Sequence, residues 1–214
     1  VDYEKPGLEI VKKNIANGEP IEGVTYRIEQ IDGSFSTSAT TDSAGRIFLD
    51  SIPVGSYRIT EKNVPSHVIL SEIPQEVYLE AGCTRTVTFF NAVKPSLTIL
   101  KRNSVTGDPL SNAKFHIYYG SDNTTTGEIN DLGVFTTDES GKITLTDVNR
   151  GWYKLVEESA PNGFGIQGSG VTEFYLEANT SKTVTVDNVP HSALVVYKYD
   201  AKTGKSWFSV TSVA

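Results

Sequence analysis

TTDESGKITLTDVNRGWYKLVEESAP, residues 136–161, is the most informative segment of the sequence, because an earlier part of the chain repeats it. It aligns without a gap over TTDSAGRIFLDSIPVGSYRITEKNVP, residues 40–65, at an offset of 96 residues. The identical positions are Thr, Thr, Asp, Gly, Ile, Leu, Gly, Tyr, Glu and Pro. They combine turn formers with apolar residues, so both stretches encode the same strands and turns. The chain therefore contains two copies of one unit, and a period this long is typical of tandem domains.

The flanking segments extend this repeat in both directions. LEIVKK at 8–13 matches LTILKR at 97–102 with an offset of 89 residues. TVTFFN at 86–91 matches TVTVDN at 183–188 with an offset of 97 residues. The growth of the offset predicts an insertion in the second copy, which we place around GSDNTTTGEINDLG at 120–133.

These alignments divide the chain into three parts. We expect one domain over residues 1–93, a second over 94–190, and the start of an incomplete or divergent third repeat over 191–214. The third part includes LVVYKYDAKTGK at 194–205, which is similar to the start of the other two copies. The SWFSVTSVA that follows lacks their Pro-Leu and small-x-aromatic pattern, so the fold of this part stays open.

Each copy shows short runs of alternating apolar and polar residues, separated by turn residues at about 8 to 12 positions, which is typical of all-β domains. No segment of useful length shows the 3.6-residue apolar period of a helix. The pattern predicts two tandem Ig-like β-sandwich domains of about seven strands each. The strands predicted in the second copy are 97–102, 113–119, 133–137, 142–146, 151–157, 171–177 and 182–188.

The composition argues against several functional classes. With 19 basic and 26 acidic residues the net charge is −7, which argues against a nucleic-acid surface and against binding to an anionic membrane. No apolar run approaches the roughly 20 residues of a membrane helix. Cys83 is the only cysteine, which excludes an internal disulfide, and the three histidines lack the spacing of a metal site. We therefore expect no metal and no cofactor.

Strand parity places three polar residue types on the apolar faces of separate strands, because side chains alternate with period two. The alternative is that each strand ends there and its polar residue emerges into water. Repetition of all three types in two otherwise different copies favours burial. The neighbouring Lys13 has the opposite parity and is expected to face solvent. The inward residues are Lys12, Glu61 and Asn91 in the first copy, and Lys101, Glu157 and Asn188 in the second.

Burial of such groups permits a condensation between them. Burial lowers the pKa of a lysine and raises that of a glutamic acid, and a neutral amine is a nucleophile. An asparagine offers its carbonyl carbon, and a protonated glutamic acid can polarise that carbonyl and transfer protons as ammonia leaves. The product is an amide between the Lys and Asn side chains, whose neutrality removes the cost of buried charge.

Three motifs of the second copy, which together span most of 97–188, resemble a known family. They are LTILKRNSVTGDPLSNAKFHIY, GVFTTDESGKITLTDVNRGWYKLVEESAPNGF and TVTVDN. The chain is similar to tandem Cna-B-type (SpaA-like, prealbumin-like) domains of Gram-positive surface proteins and pilins. The first copy, about 8–92, matches less fully, because VPSHV replaces the usual Ala-Pro-x-Gly-aromatic after Glu61. This departure could alter the loop after Glu61.

The resemblance implies a reverse-handed Ig-like sandwich in which a spontaneous isopeptide bond joins the first and last strands. Lys198 occupies the equivalent lysine position of the third copy, and no partner for it lies within this chain. The bonds implied by position, each with its assisting glutamate, are Lys12–Asn91 with Glu61 and Lys101–Asn188 with Glu157.

The resemblance also implies a structural role, as stalk modules of an extracellular, cell-wall-anchored adhesin or pilus protein whose partners are neighbouring domains of the same protein. We expect no enzyme, because the Lys, Glu and Asn set would react once and be consumed. The alternative is a module that binds a host ligand, either extracellular matrix or a glycan, on a face or on the insertion at 120–133. We identify no aromatic cluster on an outward face. A prealbumin-like carrier or an enzyme accessory domain is a third hypothesis, and the absence of a YPK-type pilin motif favours a stalk over a backbone pilin.

Overall fold

The computed structural model describes residues 4–120, 129–192, 195–199, 201–204 and 206–210. Throughout the described residues the regular elements are β-strands, connected by turns and short loops. The all-β prediction is therefore confirmed, and the strands form two domains, each a sandwich of two sheets.

Domain 1 has seven strands within the described residues, as predicted. One sheet of the sandwich has three strands and the other has four. The strands are β1 Gly7–Asn14, β2 Thr25–Gln30, β3 Ser36–Thr40, β4 Arg46–Leu49, β5 Gly55–Asn63, β6 Gln75–Leu79 and β7 Thr84–Asn91. The sheet orders are β4-β1-β7 and β3-β2-β5-β6.

The first and last strands of domain 1 lie side by side and run parallel. Lys12 on β1 is opposite Phe89 on β7, and Asn91 follows one pleat further along on the same inward face. This pairing brings two residues that are distant in sequence to one end of the core.

Domain 2 repeats this architecture with one additional short strand. Its sheets have the orders β11-β8-β15-β13 and β10-β9-β12-β14. The strands are β8 Ser96–Asn103, β9 Lys114–Gly120, β10 Ile129–Thr136, β11 Lys142–Leu145, β12 Gly151–Ser159, β13 Phe164–Ile166, β14 Val171–Leu176 and β15 Ser181–Pro190.

The strand β13 is the element that the sequence analysis missed. It is three residues long and pairs with the end of β15, Phe164 lying opposite Pro190. A run this short cannot display an alternating pattern. In domain 1 the same place holds only an isolated bridge between Val68 and Val93, so the departure after Glu61 does alter that loop.

The core of each domain lies between its two sheets and consists of the inward aliphatic and aromatic side chains. In domain 1 the fully buried members include Leu8, Ile10, Tyr26, Ile28, Tyr57 and Ile59. In domain 2 the buried members include Leu97, Ile99, Phe115, Ile117, Tyr153 and Leu155. These are the inward positions that strand parity predicts.

The predicted insertion and the third repeat each lie partly outside the described residues. The predicted insertion begins at Gly120, where β9 ends, and continues through residues 121–128 to β10. Beyond domain 2 the chain forms an antiparallel pair, β16 Val195–Tyr199 and β17 Ser206–Val210. The side chain of Lys198 lies outside the described part of the structure.

Candidate functional site

The turn in the repeated motif anchors the strand that carries the inward lysine. In domain 1 the Asp42 carboxylate accepts hydrogen bonds from the backbone N–H groups of Ala44 and Arg46, at 2.9 and 2.8 Å. This Asp-capped turn presents the Gly45 carbonyl, which accepts the Lys12 N–H at 2.7 Å. This hydrogen bond fixes the backbone of the lysine at the turn.

Domain 2 builds the same anchor from the same motif positions. Asp138 accepts from the N–H groups of Ser140 and Lys142, and the Gly141 carbonyl accepts the Lys101 N–H at 2.8 Å. Gly141 has φ of +71°, and a Cβ there would lie 2.7 Å from the Lys101 carbonyl oxygen. The glycine of the motif is therefore required both for its left-handed backbone and for close approach to the lysine.

In domain 1 the structure brings Lys12, Glu61 and Asn91 into direct contact, and all three are almost completely buried. The Lys12 Nζ donates to Glu61 Oε2 at 2.6 Å and to Asn91 Oδ1 at 2.5 Å. The Asn91 Nδ2 donates to Glu61 Oε1 at 2.5 Å. The three side chains thus form a closed ring of hydrogen bonds in which each contacts the other two.

The orientation of the Asn91 amide follows from the chemistry of its neighbours. An ammonium can only donate hydrogen bonds, and a carboxylate can only accept them. The amide oxygen must therefore face Lys12, and the amide nitrogen must face Glu61. This arrangement puts the Asn91 amide nitrogen on the Glu61 carboxyl group.

Two further donors contact the Glu61 carboxylate. The Tyr26 hydroxyl donates to Oε2 at 3.2 Å, and the Ser71 backbone N–H donates to Oε1 at 3.0 Å. Sequence analysis identified neither donor. Tyr26 has inward parity and could have been recognised as a neighbour, whereas the Ser71 contact depends on the loop conformation.

Burial determines the direction of the pKa shifts in domain 1. It lowers the pKa of the Lys12 ammonium, and Glu61 opposes this shift only in part. Burial and the adjacent Glu61 raise the pKa of the Tyr26 hydroxyl, so this hydroxyl keeps its proton and acts as a donor. The site therefore favours a lysine that loses its proton more readily than usual.

In domain 2 the corresponding residues are equally buried but are less completely connected. The Lys101 Nζ donates to Glu157 Oε2 at 2.9 Å, and burial lowers the pKa of Lys101. The Asn188 backbone carbonyl accepts from Ser104 N–H, which repeats the bond between Asn91 and Ile15 in domain 1. The strand register is therefore the same in both copies.

The difference lies in the direction of the Asn188 side chain. Its Nδ2 donates to the Gly165 carbonyl on β13 at 2.8 Å, and not to Glu157. The Asn188 Oδ1 and the Glu157 Oε1 are both buried without a hydrogen-bond partner. Each of these two atoms is therefore a buried acceptor that lacks a donor, which distinguishes the domain 2 site from the closed ring of domain 1.

The β10-β9-β12-β14 sheet of domain 2 carries aromatic residues on its outward side, which corrects our expectation that no such cluster exists. Trp152 on β12 and Tyr175 on β14 are cross-strand partners with ring centroids 5.6 Å apart. On β9 the His116 ring stacks on Tyr118 with centroids 4.4 Å apart. Parity alone could not reveal this cluster, because the sequence does not tell which strands are neighbours.

A groove crosses this face beside Tyr118. It has a volume of about 330 Å³ and is lined by Tyr118, Ile129, Asp131, Lys154 and Val156. Apolar walls with a few charged groups are typical of small-ligand sites.

Metal and membrane sites were also sought within the described residues. No group of three or more His, Cys, Asp or Glu side chains is arranged to hold a metal ion there. The same residues include no helix with the length and hydropathy that a bilayer crossing requires.

The sequence matches one family twice. The profile of the family described as "SpaA: Prealbumin-like fold domain" matches residues 6–93 and again residues 95–190. Together these segments include most of the chain and all six inward polar residues. No curated protein sequence matches the chain.

Several solved structures of Gram-positive proteins are similar to this chain. The shaft pilin SpaA from Lactobacillus rhamnosus GG is 18% identical with a TM-score of 0.50, over 90% of this chain and 100% of that one. A streptococcal ancillary pilin is 19% identical with a TM-score of 0.44, over 89% of this chain and 64% of that one. The Bacillus anthracis TIE protein is 24% identical with a TM-score of 0.43, over 86% of this chain. The chain spans 34% of the length of the TIE protein.

Proposed function

The chain belongs to the family of SpaA-type domains with a prealbumin-like fold, and from this premise we propose that it forms structural modules of a cell-wall-anchored Gram-positive surface protein. The modules serve as stalk or pilus domains outside the cell, and their partners are neighbouring domains of the same protein. They turn over no substrate. Each is rigidified by an autocatalytic isopeptide bond, Lys12–Asn91 in domain 1 and Lys101–Asn188 in domain 2.

The single observation that carries this proposal is the ring of contacts in domain 1. Lys12 Nζ lies 2.5 Å from Asn91 Oδ1, while Glu61 contacts the amine with one oxygen and the amide nitrogen with the other. The nucleophile and the proton carrier are therefore in place before reaction, and such proximity is equivalent to a very high effective concentration.

The reaction balances with these three side chains alone. The Lys12 ammonium gives one proton to Glu61 Oε2 and becomes a neutral amine, which attacks Asn91 Cγ. The Nζ–Cγ bond forms, the Cγ–Nδ2 bond breaks, and a proton passes from Nζ to Nδ2 through the Glu61 carboxyl group. Ammonia leaves, so Glu61 acts as a proton bridge between nucleophile and leaving group.

In domain 2 the same chemistry requires the Asn188 side chain to turn from Gly165 toward Glu157. The unpartnered Glu157 Oε1 and Asn188 Oδ1 favour this rotation, because a proton shared between them satisfies both atoms. Polarisation of the Asn188 carbonyl by that proton prepares its carbon for attack by Lys101.

Each bond would stabilise its domain, because it would close a loop in the chain and so reduce the conformational entropy of the unfolded state. For loops of about 80 to 90 residues the loop-closure estimate is roughly 4–5 kcal/mol per bond. Local opening would also be restricted, so proteases would rarely meet an extended segment.

Intact-mass spectrometry of the purified chain tests the proposal. We expect a mass lower than the sequence mass by two ammonia molecules. Glu61→Gln and Glu157→Gln should each raise the measured mass by one ammonia molecule beyond the substitution itself, because each removes the proton carrier of one domain. The matched control is Glu158→Gln, which alters the neighbour of Glu157 on the outward side and should keep both deficits.

Two outcomes would contradict the proposal at different levels. The full sequence mass in the unaltered chain would exclude both bonds. If the Glu157→Gln variant still loses two ammonia molecules at an undiminished rate, the bonds would stand but the role of that glutamate would be refuted.

A second candidate function, glycan binding, is supported by the outward aromatic face of domain 2. In domain 1 the positions of Trp152 and Tyr118 are occupied by the polar residues Ser56 and Glu29, whereas Tyr78 lies opposite Ser56 as Tyr175 lies opposite Trp152. The fold itself therefore does not require aromatic residues there. Sugar rings combine apolar faces with hydroxyl groups, which match the Tyr118 groove with its flanking Asp131 and Lys154.

A glycan array with the full chain tests this second function. Binding should be lost when Trp152→Ser and Tyr118→Glu install the domain 1 residues, whereas Tyr78→Ser on domain 1 should leave it unchanged. Absence of any glycan signal, or a signal only from matrix proteins, would refute glycan recognition.

A further inference from the structure

We propose that the Tyr26 hydroxyl is a positioning group for bond formation in domain 1, which it promotes by fixing the Glu61 carboxyl group. This inference rests on the proposed Lys12–Asn91 bond. It predicts that the two domains of this chain form their bonds at different rates, because domain 2 has no hydroxyl at the equivalent place.

The two copies show that Tyr26 and Phe115 are structurally equivalent. Tyr26 on β2 lies directly opposite Glu61 on β5, and Phe115 on β9 lies directly opposite Glu157 on β12. Both aromatic rings are buried. The lysine nitrogen lies 5.8 Å from the ring centroid in domain 1 and 5.7 Å in domain 2. The hydroxyl is therefore the chemical difference between the two residues.

The hydroxyl contacts the oxygen that receives the lysine proton. Glu61 Oε2 accepts from both Lys12 Nζ, at 2.6 Å, and Tyr26, at 3.2 Å. With these two donors on Oε2, the carboxyl plane is held so that Oε1 faces the Asn91 nitrogen at 2.5 Å. Tyr26 thus acts through Glu61, since its hydroxyl contacts the carboxylate and not the reacting amide.

Domain 2 lacks this hydroxyl, and it also lacks a donor equivalent to the Ser71 N–H that contacts Glu61 Oε1. Glu157 Oε2 has Lys101 as its donor, and Glu157 Oε1 has no partner. The Asn188 amide is turned toward the Gly165 carbonyl and makes no hydrogen bond to Glu157. The site that lacks the hydroxyl is also the site whose amide is not aligned for proton transfer.

The phenylalanine of domain 2 makes the substitution in domain 1 a conservative one. Tyr26→Phe installs the residue that the same fold already accommodates at Phe115, so the variant is expected to fold. In the opposite direction, Phe115→Tyr adds a hydroxyl group to domain 2. The smaller Val186 leaves room for it at the position where domain 1 has Phe89. The ring centroids of Phe89 and Tyr26 are 4.8 Å apart.

The test follows both bonds in the full chain as it is synthesised. Labelled chains are produced in a short cell-free translation pulse, stopped in acid denaturant at successive times, and digested for peptide mass spectrometry. One linked peptide pair reports Lys12–Asn91 and the other reports Lys101–Asn188. Each domain therefore serves as the control for the other in the same molecule.

We expect Tyr26→Phe to slow formation of the Lys12–Asn91 bond about tenfold, as for loss of a hydrogen bond to a charged group. The rate of the Lys101–Asn188 bond should not change. Phe115→Tyr should accelerate the Lys101–Asn188 bond and leave the domain 1 rate unaltered.

The converse substitution separates positioning of the carboxyl group from a general effect on folding. A purely structural role of Tyr26 would give Phe115→Tyr no advantage in domain 2. A hydroxyl that positions the Glu157 carboxyl group should instead accelerate the Lys101–Asn188 bond.

The outcomes distinguish this inference from the function on which it rests. Equal rates in the unaltered chain and in Tyr26→Phe, with both bonds formed, would overturn the role of Tyr26 and leave the bonds intact. Absence of linked peptides from the unaltered chain would instead overturn the proposed function, and this inference with it.

Discussion

At the scale of single residues, burial of the Lys and Glu of each domain carries a desolvation cost that persists unless the two groups react. Lys12 and Glu61 are taken out of water at the end of a core whose other members are aliphatic or aromatic. The attraction between two buried charges often fails to offset their desolvation. The proposed conversion of the lysine to a neutral amide would remove its charge permanently and would give the unusual burial a chemical reason.

His116 supports a prediction about pH on the outward face of domain 2. The Asp131 carboxylate, 2.7 Å away, raises the pKa of His116 above its ordinary value of 6.5, and Glu158 on the other ring nitrogen adds to this shift. The protonated form is thus favoured in the folded state. Its stabilising contribution is fully present below the unfolded pKa and is lost as the pH rises through the folded pKa.

We therefore expect the stability of domain 2 to fall as the pH rises from about 6 to about 8, within the range where histidine titrates. An NMR titration should give a pKa for His116 above 6.5, and Asp131→Asn should lower that pKa. Arg27 occupies the corresponding place in domain 1, so domain 1 has no histidine there and lacks this source of pH dependence. An unchanged His116 titration in Asp131→Asn would contradict the prediction.

The sequence located the six inward polar residues but could not describe their contacts. Parity is sufficient to place Glu157 and Asn188 on the core side, because a strand has only two faces. It does not fix a side-chain rotamer, so the rotation of Asn188 toward Gly165 was not predictable. The Tyr26 contact required knowledge that β2 and β5 are neighbours.

At the scale of elements, the turn between β10 and β11 links the repeated motif to the inward Lys101. Thr137 accepts the Ala113 N–H and donates to the Leu110 carbonyl, and Asp138 caps the turn. Domain 1 repeats these bonds with Thr41 and Asp42. The Thr-Thr-Asp-x-x-Gly sequence is therefore a backbone clamp on the strand that bears the lysine.

Gly141→Ala tests this clamp against Gly107→Ala as its matched control. Both glycines have positive φ, +71° and +78°, so both substitutions introduce left-handed strain of about 1–2 kcal/mol. A Cβ at Gly141 would also lie 2.7 Å from the Lys101 carbonyl, whereas nothing lies within 4 Å at Gly107.

We expect Gly141→Ala to destabilise domain 2 clearly more than Gly107→Ala and to delay the Lys101–Asn188 bond, because the lysine strand must shift. Chemical denaturation and peptide mass spectrometry measure the two effects. Equal destabilisation and equal bond formation in both variants would show that the close approach at Gly141 is unimportant.

The accuracy of the strand predictions followed the length of each pattern. β12 was recognised over nearly its full length because nine residues display the alternation clearly. β13 was missed because three residues display none, and its existence depends on pairing with β15. The insertion was located by a change of offset, which reports chain length and carries no information about conformation.

At the scale of the whole molecule, the parallel arrangement of first and last strands decides what the bonds would do under tension. In domain 1 the chain enters at β1 and leaves after β7, and these strands are neighbours in one sheet. The residues to be joined, Lys12 and Asn91, are separated by 79 positions in sequence. A bond between them would give tension a covalent route that bypasses nearly the entire domain.

Stretching single full-length chains from their two ends tests this consequence. Without a bond, unfolding of domain 1 would release the 79-residue segment and lengthen the chain by roughly 25 nm, at about 3.3–3.6 Å per extended residue. With the bond, that segment cannot extend at any force below covalent rupture, because it forms a closed loop. We expect the Glu61→Gln, Glu157→Gln double variant to show two such steps and the unaltered chain to show none. Steps of that length in the unaltered chain, at the forces seen for the double variant, would mean that tension passes through the sandwich itself. The modules would then have no covalent source of mechanical strength.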